Sequence, residues 1–180
     1  MKKLLIPVLF LLTAWLGAQN INLSNVIESS ARTIESDLPQ GTRIAVLNFA
    51  SPSEVFSNYV FEELSEKLAN SPKLTIIDRQ TLALVRQIMN VQSTTNLSDH
   101  SAWTIGHMLG VQSVIFGEMS DLVSFHRFRV RAIDVKTAEV QTQLSFEIPN
   151  DPQLTIFMGR TGVTAFPPAT LSIPAPSTSR

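Results

Sequence analysis

Between residues 22 and 37, Leu23, Val26, Ile27, Ala31 and Ile34 recur at helical spacing with Glu28, Arg32 and Glu35 between them. This pattern predicts an amphipathic helix, ended by Leu38, Pro39, Gln40 and Gly41. The run Ile44, Ala45, Val46, Leu47 with Phe49 is continuously apolar, as in a strand covered on both faces. Ser51, Pro52, Ser53 and Glu54 then form a capping-box spacing with proline at the first helical position. They open a helix through about Asn70 with a stripe of Phe56, Val60, Leu64 and Leu68. Leu74 to Ile77 reads as a short strand, after which Asp78 caps a helix with inner face Leu82, Val85, Ile88 and Met89. Ser98 caps the next helix, with Leu97 and Ala102 as a hydrophobic staple, Ile105 and Leu109 inward, and Gly110 at its end. Val114, Ile115 and Phe116 make a third buried strand, closed by Gly117.

The last two strands have a different period. Phe128, Val130 and Ala132 alternate with Arg127, Arg129 and Arg131, and Val140, Leu144, Phe146 and Ile148 alternate with Glu139, Gln141, Gln143 and Glu147. One apolar and one wet face per strand is the antiparallel signature. Keeping both apolar sets on one side requires an odd loop, because a one-residue slip turns every side chain over. A three-residue turn at Lys136, Thr137 and Ala138 pairs Ala132 with Thr142 and Arg127 with Glu147. The whole predicts an α/β domain over 19–148: a mixed sheet with helices packed on it, three parallel-type strands and then an antiparallel C-terminal hairpin, plus the N-terminal amphipathic helix.

The ends of the chain change the picture of where this domain works. Lys2 and Lys3 precede an apolar run from Leu4 to Leu16, followed by Gly17 and Ala18, the layout of a secretory signal peptide over residues 1–18. The run is shorter than the roughly 20 residues that span a bilayer. From Pro149 to Arg180 the chain holds six of its ten prolines and eight Ser or Thr, with only Asp151, Arg160 and Arg180 charged. That composition predicts a mostly unstructured tail, whose one apolar cluster, Leu154, Ile156, Phe157 and Met158, is free to dock on the domain or on a partner.

Composition narrows the function classes. The 180 residues carry 14 basic and 15 acidic groups, and removal of Lys2 and Lys3 with the leader leaves 12 basic. Such a balance gives no footprint for nucleic acid. With no cysteine, disulfides, thiolate metal sites, thiol nucleophiles and a lipid anchor through cysteine are excluded, and stability rests on a packed core. The expected protein is exported.

Candidate chemistry is sparse. His100 and His107 lie seven apart, whereas helical metal pairs sit three or four apart, and His126 opens an alternating strand as a surface residue. No phosphate loop, nucleophile elbow or zinc-protease helix occurs. We therefore expect no catalytic, metal or cofactor site, and no cofactor. The enzymatic alternative is a small periplasmic hydrolase using these histidines. Asp78 and Arg79 follow the second strand, where clefts form in α/β sheets, and read as a helix cap with an ion pair. Arg127, Arg129 and Arg131 either pair with Glu139 and Glu147 on a solvated face or present a cationic stripe to a partner. Trp103 lies off the Ile105 and Leu109 stripe, which makes it a candidate partner anchor. These four residues are the candidate partner-binding set.

In order, the segments GTRIAVLNFASPS, SNYVFEELSEKLANSPKLTIIDRQTL, LSDHSAWTIGHMLGVQSVIFGEM and HRFRVRAIDVKTAEVQ resemble the CsgG family, which includes the curli assembly and transport component and shares its fold with LpoB-type activators of penicillin-binding proteins. The resemblance runs from Asn22 to Ile148. It implies a non-enzymatic envelope protein, periplasmic or bound at the outer membrane, acting as an assembly or adaptor factor through protein contacts. The alternative it implies is a regulator that binds and activates a peptidoglycan synthase. Implied partners are envelope proteins: a secretion complex, a synthase, or further copies of the chain. The ten or so residues from Gly117 to Phe128 lack the membrane hairpins of a secretion pore.

Overall fold

The computed structural model describes residues 22–90, 92 and 96–159. The signal peptide assigned to 1–18 and the tail beyond Gly159 lie outside the described residues. The first helix forms as α1 (Leu23–Asp37), with the Asn22 side chain accepting the Asn25 N–H at 2.9 Å and Val26, Ile27, Ala31 and Ile34 buried. Burying each large side chain of this stripe contributes about 1.5–3 kcal/mol. Strand β1 (Thr42–Ala50) is buried at every position but Arg43. It is followed by α2 (Glu54–Ala69), β2 (Leu74–Ile76), α3 (Arg79–Ile88), α4 (Asp99–Leu109), β3 (Ser113–Asp121), β4 (Phe125–Asp134), β5 (Val140–Pro149) and α5 (Pro152–Phe157).

The five strands form one mixed sheet in the order β2-β1-β3-β4-β5. Pairing is parallel across β2, β1 and β3 and antiparallel across β3, β4 and β5. Helices α1 and α2 cover one face, where the Thr142 hydroxyl of β5 donates to Asp37 of α1 at 2.8 Å. Helix α4 lies on the other face, so close that a Cβ at Gly106 would fall 2.5 Å from Val114 and 2.6 Å from Val135. The hairpin register is the expected one, with Ala132 opposite Thr142 and Arg127 opposite Glu147, and it shifts by one residue between Ala132 and Ile133. The turn uses five residues between the strands rather than three. Asp134 Oδ1 accepts the N–H groups of Lys136 and Thr137, and Ala138 takes a left-handed conformation at φ 61°.

Further expectations are corrected or refined. Helix α2 is capped by Ser53, whose hydroxyl accepts the Phe56 N–H at 3.2 Å, because Ser51 turns its own hydroxyl to the Ser53 carbonyl and to Ser57. Strand β3 does not stop at Gly117: nine residue pairs tie it to β4 through Asp121. On α3, Leu82 and Val85 are buried but Ile88 is exposed. On β5, Ile148 is buried, Leu144 and Phe146 are half-buried and Val140, beyond the register shift, is exposed. The chain after Pro149 is not all irregular, since α5 forms under an Asp151 cap with Leu154 and Met158 buried.

The core is continued by aromatic rings in contact. Phe49 of β1 lies 4.7 Å from Phe128 of β4 and 6.3 Å from Phe56 of α2, and Phe157 of α5 meets Phe56 and Tyr59 edge-on at 5.4 and 5.3 Å. Leu154, Phe157 and Met158 of the tail's apolar cluster are thus docked on the domain, while Ile156 is exposed.

Candidate partner-binding surface

Trp103 sits on the outer side of α4, half-buried, and its indole N–H donates to the Val135 carbonyl at 2.7 Å. That bond pins the ring at the β4–β5 turn. His100 stacks on it at 5.8 Å and His107 meets it edge-on at 5.2 Å. The two histidines seven apart therefore flank one tryptophan. Among the described residues, no group of three or more His, Asp or Glu is arranged to hold a metal ion.

The three arginines project from one face of β4, and each meets a different acid. Arg127 lies 3.6 Å from Glu147 across the strand pair and 5.5 Å over the Phe125 ring. Arg129 lies 3.3 Å from Glu118 of β3, and Arg131 donates to Asp99 of α4 at 2.7 Å. Glu147 is the expected partner; Glu118 and Asp99 take the place given to Glu139. All three arginines keep about a third of their side chains exposed (33%, 39% and 34%), where such pairs contribute only about 0–1 kcal/mol. Their effect is to neutralise the stripe locally. Helix α4 brings Trp103 to the same side of the sheet as the arginines, and Asp99 at its first turn links it to Arg131. A cleft of 190 Å³ opens between Arg129, Arg131, Phe116 and Leu97.

His126 is not a surface residue. It is 1% exposed, its Nδ1 is 3.4 Å from Asp121, and neither ring nitrogen makes a hydrogen bond. The alternation that put Phe128 and Val130 inward also put His126 inward, which was readable in the sequence. Asp78 and Arg79 behave as a cap and an ion pair: Asp78 accepts the Thr81 N–H at 2.8 Å and its hydroxyl at 2.6 Å, and Arg79 pairs with Glu62. The hydrogen bond from the Thr81 hydroxyl, followed by that from its N–H, lowers the Asp78 pKa.

Two larger clefts have several of their polar groups committed to the fold. One, of 850 Å³, is lined by Leu23, Tyr59, Ile148, Leu154 and Phe157 where α5 joins the domain. Burial, and next the charge of Glu63, raises the Tyr59 pKa there. The other, of 560 Å³, is lined by His107, Gln112, Asp134 and Lys136, but Gln112 accepts the Arg43 N–H and Asp134 organises the turn. A third cleft, of 330 Å³, lies between α2 and α3 over Phe61, Ile77 and Leu82.

This arrangement defines a mixed α/β domain with no assembled catalytic constellation among the described residues and two polar-rimmed faces open to contact. No protein-family model matches the chain, and no curated protein matches it. Solved structures do. The LpoB C-terminal domain from Salmonella enterica is 18% identical, with a TM-score of 0.58 over 72% of this chain and 100% of that one. The LpoB C-terminal domain from Escherichia coli is 17% identical, with a TM-score of 0.57 over 72% of this chain and 100% of that one. The solution structure of E. coli LpoB is 18% identical, with a TM-score of 0.57 over 67% of this chain and 64% of that one. The fold is LpoB-like. The CsgG side of the sequence resemblance finds no support in these comparisons.

Proposed function

We propose that the chain is a non-enzymatic, exported envelope protein whose LpoB-like domain binds and regulates a peptidoglycan synthase. The observation that carries this reading is the extent of the likeness: the whole of the LpoB C-terminal domain is matched, rather than one βαβ unit common to many folds. The leader-like sequence over residues 1–18 supports export, and no helix among the described residues is long and apolar enough to cross a membrane. The outer-membrane association of the resemblance would have to come without a cysteine-borne lipid. Trp103 and the Arg127, Arg129, Arg131 face are the surfaces proposed from the sequence for the partner, and their shared side of the sheet favours testing them together.

The test uses residues 19–180 and the purified penicillin-binding proteins of the same cell. Saturable binding to one of them, with a faster rate of glycan polymerisation, is the expected result. Absence of binding to every synthase overturns the proposal and leaves the broader assembly or adaptor role. A fusion of residues 1–40 to a reporter is expected to be found in the periplasm. The purified protein alone is expected to release no soluble fragments from peptidoglycan, which separates the regulator from the hydrolase.

A further inference from the structure

The sheet ends on two edges of unlike length. Strand β2 has three residues, whereas β5 has ten, and among the described residues no strand pairs with its far side. In the β3–β4 hairpin, Leu122 donates to the Phe125 carbonyl at 3.0 Å. Antiparallel pairs alternate from there, so His126, Phe128, Val130 and Ala132 turn their backbone groups toward β5 and meet those of Ile148, Phe146, Leu144 and Thr142. The N–H and C=O groups of Gln143, Ser145 and Glu147 are left pointing out of the sheet, and all three residues are exposed. Natural proteins blunt a long edge with lysine, proline or inward charge. From Thr142 to Ile148, β5 has no lysine and no proline, and Glu147 is its one charge. The register shift beyond Ala132 and Thr142 bounds this stretch on one side and Pro149 on the other, and its centre is Ser145.

We propose that β5 pairs antiparallel with β5 of a second copy of this chain, about a two-fold axis at Ser145, joining two five-stranded sheets into one. The strand is complementary to itself. Centred on Ser145, the hydrogen-bonded pairs are Ser145 with Ser145 and Gln143 with Glu147, which exchange about six backbone bonds and oppose no like charges. Between them, Leu144 of one protomer meets Phe146 of its partner, each half-buried in the single chain, and Thr142 meets Ile148. Any other axis shortens the regular overlap, and one at Glu147 would also set two carboxylates face to face. The axis runs through the sheet, so both copies keep α1 and α2 on one face and Arg127, Arg129 and Arg131 on the other. The two arginine strands then lie three strand spacings apart, about 14 Å, and the pair presents that face twice. This inference does not depend on the synthase reading.

The experiment follows residues 19–180 by sedimentation equilibrium over a wide range of concentration, where a reversible monomer–dimer equilibrium is the expected result. The chain has no cysteine, so one introduced thiol reports only its own contacts. Ser145→Cys is expected to give a disulfide-linked dimer on mild oxidation, because the Cα atoms of a hydrogen-bonded antiparallel pair lie about 5.5 Å apart, within disulfide reach. Val123→Cys, at a fully exposed position in the β3–β4 turn, is the control for random collision. Gln143→Cys and Glu147→Cys should each stay unlinked alone and link to one another when mixed. Gln143→Glu sets a second carboxylate against Glu147 of the partner subunit, while within its own chain it faces Arg131. It is expected to weaken the dimer about fivefold and to recover in high salt, with urea unfolding showing that the fold is kept.

A monomer at every concentration overturns the inference, as does Val123→Cys linking as readily as Ser145→Cys. A dimer that Gln143→Glu leaves unchanged overturns it too, because the contact then lies elsewhere. A dimer that forms only once the chain is cut after Gly159 also overturns it, because residues 160–180 then hold the edge. None of these results bears on synthase binding, which is measured separately.

Discussion

At Gly117 a methyl group has no room: a Cβ there would stand 2.5 Å from the Arg129 carbonyl oxygen and 2.7 Å from the Phe49 ring. The obstacle on one side is backbone, so a side-chain rotation cannot relieve it, and on the other it is the ring that stacks on Phe128. Gly117→Ala is therefore expected to destabilise by at least about 1–3 kcal/mol, the usual range for overpacking, measured by urea denaturation. Asp78 gives a residue-scale test of a different kind. Its pKa is held below the ordinary carboxylate value by the Thr81 hydroxyl and N–H. The stabilisation is present above the unfolded-state pKa, near 3.8, and is lost as pH falls through the lowered folded value. Asn caps helices about as well as Asp. Asp78→Asn should therefore keep most of the stability at neutral pH while flattening the loss on acidification below the ordinary carboxylate range, followed by melting curves at falling pH.

Helix α4 shows what an element contributes when each end is specified. Ser98 accepts the Ser101 N–H at 3.1 Å, Leu97 and Ala102 are both buried as the staple, and Gly110 ends the helix at φ 62°. Gly106 lets the helix approach Val114 and Val135, and that closeness brings the Trp103 N–H within reach of the Val135 carbonyl. Trp103→Phe removes the donor and should cost about 1 kcal/mol. Trp103→Ala, which also removes the ring, should cost more and leave His100 and His107 without their aromatic neighbour, seen as loss of the ring-current shifts on their protons. The ends of α4 were legible in the sequence because capping is local chemistry. The extension of β3 was not. Glu118, Ser120 and Asp121 carry no apolar period, and they are strand because β4 pairs with them across Arg129, Arg127 and His126. The same limit applied to the α2 cap: Ser51, Pro52, Ser53 and Glu54 offered two serines, and the choice was made by a contact with Ser57, six residues on. Arg127 opposite Glu147 followed from hairpin parity, whereas the Asp99 and Glu118 partners of Arg131 and Arg129 required knowing that α4 and β3 flank that face.

At the scale of the molecule, the sheet and the helices on its α2 side are joined by the aromatic contacts that run from Phe146 and Phe128 through Phe49 and Phe56 to Phe157. Helix α5 ends that chain. Composition assigned its residues to a Pro-rich tail, yet six-residue α5 is held by tertiary contact: Leu154 and Met158 are buried, and Phe157 packs between Phe56 and Tyr59. So short a helix has no stability of its own in water. Cutting the chain after Pro149 removes these three side chains and opens Phe56, one of the largest buried residues, toward solvent. The loss should be at least about 3 kcal/mol, by analogy with large core truncations, and it should appear as an earlier urea midpoint with a smaller slope. Cutting after Gly159 tests the tail expectation separately, since removal of a segment that packs on nothing changes stability by less than about 0.5 kcal/mol. If the second truncation is as costly as the first, residues beyond 159 belong to the domain, and the boundary drawn from proline content is wrong by more than one helix. If only the first is costly, α5 is the last element of the fold, and the 160–180 segment is left for contacts outside it.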